Sequence, residues 1–317
     1  MQSFCQAEGD TIPAQPAVVN DSALQISDDS FIPGTSINTK ARTRIIAGVH
    51  VGGYAGTMFL LGQAWYKNYP KTSFHVFDDS KEWLQLDKVG HGWTAYNIAK
   101  YSKGLWSWAG VPHKKAVWLG GISSIGYQTI LEYLDAHSQE WGWSWTDMAA
   151  NVFGSALFVA QETGWKEQRV QFKFSSLPVS YNSELKTRAD ELYGSSIQER
   201  ILKDYNGQTY WLSLNVQSFS NSSALPNWLN VAVGYGTKGV YGGFENVAYD
   251  KGGNVTFNRP DIKRQRQWYI SPDVDFTKIK TGKRVVKTLF SLMNMIKMPA
   301  PAIELSGGKL RGHLLFF

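Results

Sequence analysis

A single cysteine, Cys5, stands in 317 residues. That excludes a disulfide framework and any zinc site built on cysteine thiolates. Charge is also sparse, at 18% of residues, and the net balance of +6 contains no block of five or six basic side chains. Nucleic-acid binding therefore has no electrostatic footprint in this chain. Familiar catalytic signatures are missing as well. There is no His-Glu-x-x-His, no paired Glu-x-x-His, no Walker loop, no Gly-x-Ser-x-Gly elbow and no dinucleotide-binding fingerprint. Gly234-Tyr-Gly236 and Gly239 read as tight strand positions rather than a phosphate cradle. No repeat of fixed period and no low-complexity tract occurs.

Aromatic residues are abundant instead, at 14% with 13 Trp. Trp and Tyr in such numbers suit a polar–apolar boundary such as a membrane interface. Near the N-terminus, Cys5-Gln6-Ala7 before Glu8 has the small-x-small form of a signal-peptidase site, so the mature chain is expected to begin near Glu8. An ordinary frayed terminus explains the same residues. From residue 8 to 39 there is no Lys or Arg, and Ser, Asp, Pro and Asn dominate. Such a segment buries too little apolar surface to order itself, so 1–43 reads as a signal remnant and flexible arm.

Between Arg44 and Lys67 no side chain is charged. That run is long enough to cross a bilayer, and Gly48, Gly52 and Gly56 at intervals of four would let another helix approach closely. A buried core helix is the competing explanation. Three further helices are expected: from Asp87 to about Trp108, from after His113-Lys-Lys to about Ala136, and from Ser144 or Thr146 to about Gly164. The third of the four, uncharged from Ala116 to Leu131, is also long enough to span. After Trp165 the pattern turns to strands around 171–174, 209–216, 228–235, 267–276 and 312–317. Amphipathic helices are expected at about 183–203 and 283–296. The expectation is an α+β protein, with a four-helix bundle over 44–165 and a β-rich domain over 166–317.

Residues three or four apart share a helix face. By that rule Asp87 and His91 form one row, and Ser124, Gln128, Glu132 and Asp135 a second. Asp147, Asn151 and Ser155 form a third, and His50, Tyr54 and Thr57 a weaker fourth. Two readings follow for the first three. In one, Asp87 orients His91 as general base or metal ligand, and Glu132 and Asp147 supply acid–base or metal-binding oxygens. In the other, the rows are wet helix faces or a satisfied buried network that includes Lys88, Gln128, Asp135 and Asn151. Nothing in the spacing names a cofactor or a particular metal.

Asp87-Lys88-x-x-His91, then Glu132-x-x-Asp135, then Gly142-Trp-Ser-Trp-x-Asp147 followed by Gly154, resemble the YfiM-like family of predicted periplasmic lipoproteins. More distantly they are similar to the VanZ-like membrane proteins, which share the Asp-Lys-x-x-His opening and a late Asp-x-x-x-Asn-x-x-Gly. The likeness spans residues 84 to 162. It implies a domain of unknown function in the cell envelope; a periplasmic or outer-membrane place, with membrane lipid or envelope proteins as partners, is the expectation for the whole chain. It supplies no reaction. Phe4 departs from the small residue usual before a lipidated cysteine, so the likeness does not extend to a lipid anchor. A structural or binding role leads; a hydrolase or transferase acting on envelope lipid or cell-wall material is the alternative.

Overall fold

The structure, a computed structural model, describes residues 39–62, 70–220 and 224–317. The expected processing site at Glu8, the arm up to residue 38 and the expected end of the first helix near Tyr66 lie outside them. Helix α1 (Thr39–Leu61) is followed by α2 (Leu86–Trp108), α3 (His113–Asp135) and α4 (Trp145–Gly164). Local chemistry sets their ends. Gly110, at φ +82, takes the left-handed conformation just after α2, and Pro112 occupies the N-cap position of α3. The Ser144 hydroxyl accepts the Asp147 amide and so caps α4.

Mutual packing of the kind a bundle requires joins α2, α3 and α4. The α1 helix instead leans on one side of α2 and α3. Arg42 donates to the Trp108 carbonyl, His50 shares a hydrogen bond with the Ser102 hydroxyl at 2.7 Å, and Tyr54 donates to the Ser123 carbonyl. Its other side is bare, with Val51, Phe59 and Leu60 well exposed. Among the described residues α1 is the one helix long and apolar enough to cross a membrane. The α3 helix buries Ala116, Val117, Gly120, Gly121 and Tyr127 on one face and leaves Trp118, Ile122 and Ile130 exposed on the other.

Backbones touch where α2 meets α4. A Cβ on Gly154 would fall inside the radius of the Gly92 carbonyl oxygen. Gly154→Ala is accordingly expected to cost about 3 kcal/mol, the upper end of ordinary overpacking. Gly126→Ala on α3, where nothing lies within 4 Å, should be neutral or stabilising. Denaturant midpoints of the two variants check this, and equal midpoints would contradict the close approach.

The rest of the chain supplies β1 (Val170–Ser176), α5 (Ser183–Tyr193), α6 (Ile197–Lys203), β2 (Gln208–Asn215), α7 (Val216–Phe219) and β3 (Leu229–Lys238). A small hairpin, β4 (Val247–Tyr249) and β5 (Val255–Asn258), precedes β6 (Gln265–Val274), α8 (Arg284–Met293), β7 (Ala300–Ser306) and β8 (Lys309–Phe316). The large sheet is antiparallel in the order β1-β2-β3-β6-β7-β8. The protein is thus α+β. The helix expected over 183–203 is broken in two at Gly194, whose φ of +77 ends α5.

One core joins the two halves. Leu86, Tyr96, Ala99, Val117 and Phe158 from the helices pack with Phe172, Tyr210 and Tyr235 from the sheet. Past the helices the same apolar face continues uncovered, in register from Phe172 through Leu212 and Val233 to Ile270 and Ile303. Alternate residues on the sheet's concave side are polar and buried: Lys173, Ser213, Asn230, Ser271, Asp273 and Glu304, around Trp211 and Tyr269. The Lys173 ammonium lies 2.8 Å from Asp273, whose carboxylate also accepts from Ser213. On the convex side Ile270 is 53% exposed, Leu310 73% and Leu314 93%. The curl brings Met295–Lys297 beside β1, where Phe174 donates to the Met295 carbonyl and accepts from the Lys297 amide. The outer edge of β8 has no partner strand among the described residues.

Candidate functional site

The first three polar rows meet beneath a short turn that enters α2. Trp83, Leu84 and Gln85 have φ of 48, 54 and 65, a left-handed run that non-glycine residues seldom adopt. The sheet side of the molecule holds it. Trp83 donates its amide to the Gly243 carbonyl, Tyr235 donates to the Leu84 carbonyl, and Arg266 donates to the Gln85 side chain. This turn aims the start of α2, and with it Asp87, Lys88 and His91, into the angle between α3 and α4.

Lys88 is the centre of the cluster. Its ammonium lies 2.5 Å from Asp79, 2.8 Å from Asp147 and 3.2 Å from Asp87, with only 11% of the side chain exposed. The imidazole of His91 stands beside it. One ring nitrogen is 3.5 Å from Glu132 and 3.3 Å from the Asn151 side-chain oxygen. The other is 3.9 Å from Asp147 and 4.0 Å from Asp87, beyond direct hydrogen-bond reach. Gln128 donates to Asn151 at 2.5 Å, and Tyr205 donates to Asp87 at 2.9 Å. Of the expected residues, Asp87, Lys88, His91, Gln128, Glu132, Asp147 and Asn151 are brought together. Asp135 ends α3 half-buried, and its charge adds to the field at Glu132. Ser124 and Ser155 bond to each other deeper in the layer, and the His50 row faces the outer side of α2 and α3 instead.

Asp79 was not among the residues singled out, yet it ties the cluster to the chain before α2. It accepts from the Ser144 and Thr146 hydroxyls as well as from Lys88. No helical spacing marks it, because it lies in a loop. Tyr205, from the second half of the chain, is missing from the rows for the same reason.

Four carboxyl groups share this space with two cations. Burial alone would raise Asp79, but hydrogen bonds from Asp147, Lys88 and Ser144 outweigh it and hold the group at about 2. For Asp87, too, burial is outweighed, by the charges of His91 and Lys88 and the Tyr205 hydroxyl, and the pKa is lowered. Burial wins at Glu132, raised to about 7 against the pull of His91, and at Asp147, raised to about 8. Burial also works to lower His91, yet Asp147, Asp87 and Glu132 together lift it to about 9. Lys88 is raised in the same way by Asp87 and Asp147. Near pH 7 the two cations face the ionised Asp79 and Asp87, while protons held on Asp147 and in part on Glu132 limit the desolvation cost of the cluster.

This bears on the chemistry. Three neighbouring carboxyl groups favour the protonated imidazole, and a protonated imidazole acts as an acid or a fixed positive charge. Asp87, His91 and Asp147 offer ligand atoms that all lie within 4.8 Å of one another. Lys88 already occupies the same two carboxylate oxygens, so the residues suit an internal ammonium better than a divalent ion.

Residues 76–163 match the family described as predicted periplasmic lipoprotein (DUF2279). The matched stretch runs from just before Asp79 to the end of α4, and leaves out the sheet. It supports the family resemblance of the helical part and accords with a place in the cell envelope. No curated protein and no solved structure matches the chain.

Proposed function

We propose that this is a membrane-associated structural protein of the cell envelope, held at lipid by the convex face of its sheet and the bare side of α1. The apolar sheet face left exposed over a buried polar one is the observation that carries the reading. Strands of water-soluble antiparallel sheets turn apolar residues inward, whereas lipid-facing strands turn them outward over a polar interior. Ile270, Ile303, Leu305, Leu310 and Leu314 follow the second pattern. The open β8 edge sets a limit, because unpaired amides in hydrocarbon cost several kcal/mol each. The sheet therefore rests against the membrane surface region rather than closing as a barrel across it. In this reading the Lys88–His91 cluster is a clamp that fixes the register of α2, α3, α4 and the Asp79 loop.

After cell fractionation and a carbonate wash, the protein should stay with the membrane. Ile270→Lys with Leu305→Lys should shift a share of it into the wash, since each substitution removes an apolar contact and a charge at interface depth costs up to about 1 kcal/mol. Recovery of the unaltered protein in the soluble periplasmic fraction would contradict the proposal.

An enzymatic reading stands second, as a hydrolase or transferase acting on envelope lipid or cell-wall material. It is favoured by two buried acceptors without well-aligned donors, Glu132 Oε1 and Asp147 Oδ1, beside an imidazolium that is 17% exposed. There His91 would serve as acid and the carboxyls as proton carriers, and His91→Gln would abolish activity without unfolding the chain.

A further inference from the structure

Helix α8 presents two surfaces that none of the other described residues covers. Its back is fixed: the Phe290 ring meets Phe276 at 5.7 Å, Asn294 donates to Asp275 at 3.0 Å, and Tyr101 donates to the Ser291 carbonyl. On one flank Val285, Leu289 and Leu292 form an exposed apolar stripe that Ile296 continues past the helix end, with Val285 72% exposed. On the other flank stand Lys283, Arg284 and Lys287, exposed, with Lys280 just before them. None of these four side chains has an ion-pair partner among the described residues, while nearby Lys278 is paired with Glu167. No acidic residue occurs between Asp275 and Glu304.

An apolar arc beside a basic arc on one helix is the form of a segment that lies in a membrane interface, with its stripe at the acyl boundary and its cations among headgroups. We propose that α8 is such a helix and that it docks on anionic phospholipid. A neutral bilayer would satisfy the stripe and leave four cations unmatched; an anionic one satisfies both. The helix is also continuous with the rest of the apolar surface. Met295, just past its end, lines an apolar groove of about 390 Å³ together with Val49 and Gly53 of α1. The inference deepens the membrane reading above and rests on it, adding the lipid class that the protein selects.

The test uses the full chain with Cys5→Ser and a single environment-sensitive fluorophore on Leu289→Cys, reconstituted with phosphatidylcholine vesicles. A second set of vesicles has about three in ten lipids replaced by phosphatidylglycerol, to give an anionic surface. Emission from position 289 should be blue-shifted in the anionic vesicles and nearly water-like in the neutral ones. The shift should disappear in about 0.5 M salt, which shortens the screening length well below ~8 Å. It should also disappear in Lys283→Gln/Arg284→Gln/Lys287→Gln, whose exposed positions leave folding intact; each lost charge weakens attraction to an anionic surface roughly fivefold. Equal emission in both lipids, or a shift that the triple variant retains, overturns the proposal. The same fluorophore on Ile270→Cys reports the sheet face separately. If position 270 is water-like while 289 responds, membrane seating of the sheet has failed and the α8 assignment has not.

Discussion

Lys88→Met will cost the protein about 3–5 kcal/mol of stability at pH 7, the largest loss expected from any single substitution in the cluster. The side chains have similar length, so little packing is lost. What remains is the ionised pair Asp79 and Asp87, whose shared cation at 2.5 and 3.2 Å is gone. Uncompensated buried charge is more expensive than the pair was worth. Two companion measurements identify the cause. Asp79→Asn added to Lys88→Met should recover part of the loss by removing one stranded anion, and the single variant should recover near pH 5 as the carboxylates take up protons. A loss below about 1 kcal/mol in urea unfolding, unaffected by pH, would show that the ammonium is not the centre of the network.

Stability should also fall steadily as pH rises from about 5 to 9. For His91, held at about 9 against 6.5 when unfolded, the contribution is complete below pH 6.5 and is lost as pH passes through 9. That separation is worth on the order of 3 kcal/mol. Glu132 and Asp147, raised to about 7 and about 8, act in the same direction. Above pH ~5 the unfolded chain has released their protons and the native chain has not, so alkalinity favours unfolding. Asp79, held at about 2, behaves oppositely: its contribution is present above 3.8 and is lost only as pH falls through 2. Urea midpoints at pH 5, 7 and 9 check the trend. His91→Gln should remove only the His91 share of the slope between 6.5 and 9, because Glu132 and Asp147, freed of the imidazolium that lowers them, keep theirs.

Much of the cluster is legible in the sequence because helices impose a period. Asp87 with His91, Gln128 with Glu132, and Asp147 with Asn151 are each one turn apart, and charge is scarce around them. The Gly142-Trp-Ser-Trp stretch marks the start of α4, although only the structure decides that Ser144 rather than Thr146 is the cap. Asp79 and Tyr205 are different. Each reaches the site from a segment without helical period, so only tertiary folding reveals them. The protonation of His91 was hidden in another way, since it depends on distances to three carboxyl groups on three helices. Strand β7 escaped because Pro299 and Pro301 argue against a strand, and Pro301 is accommodated with its carbonyl accepting from Ser271. Alternation along the strands was visible. Which set of residues faces inward was not, because alternation is the same for a sheet and for its inverse.

The left-handed turn at Trp83–Gln85 has a kinetic consequence. Each of its residues sits in a conformation that costs about 1–3 kcal/mol when nothing enforces it. The groups that enforce it, Tyr235, Gly243 and Arg266, arrive more than a hundred residues later in the chain. The first turn of α2 therefore cannot settle until β3 and β6 have formed. Folding of this protein is governed by long-range closure, which is slow compared with the formation of helices from local contacts. In a pulse-labelling experiment during refolding, amides of Val89–Trp93 should gain protection with those of β3 and β6, and later than amides in the middle of α3.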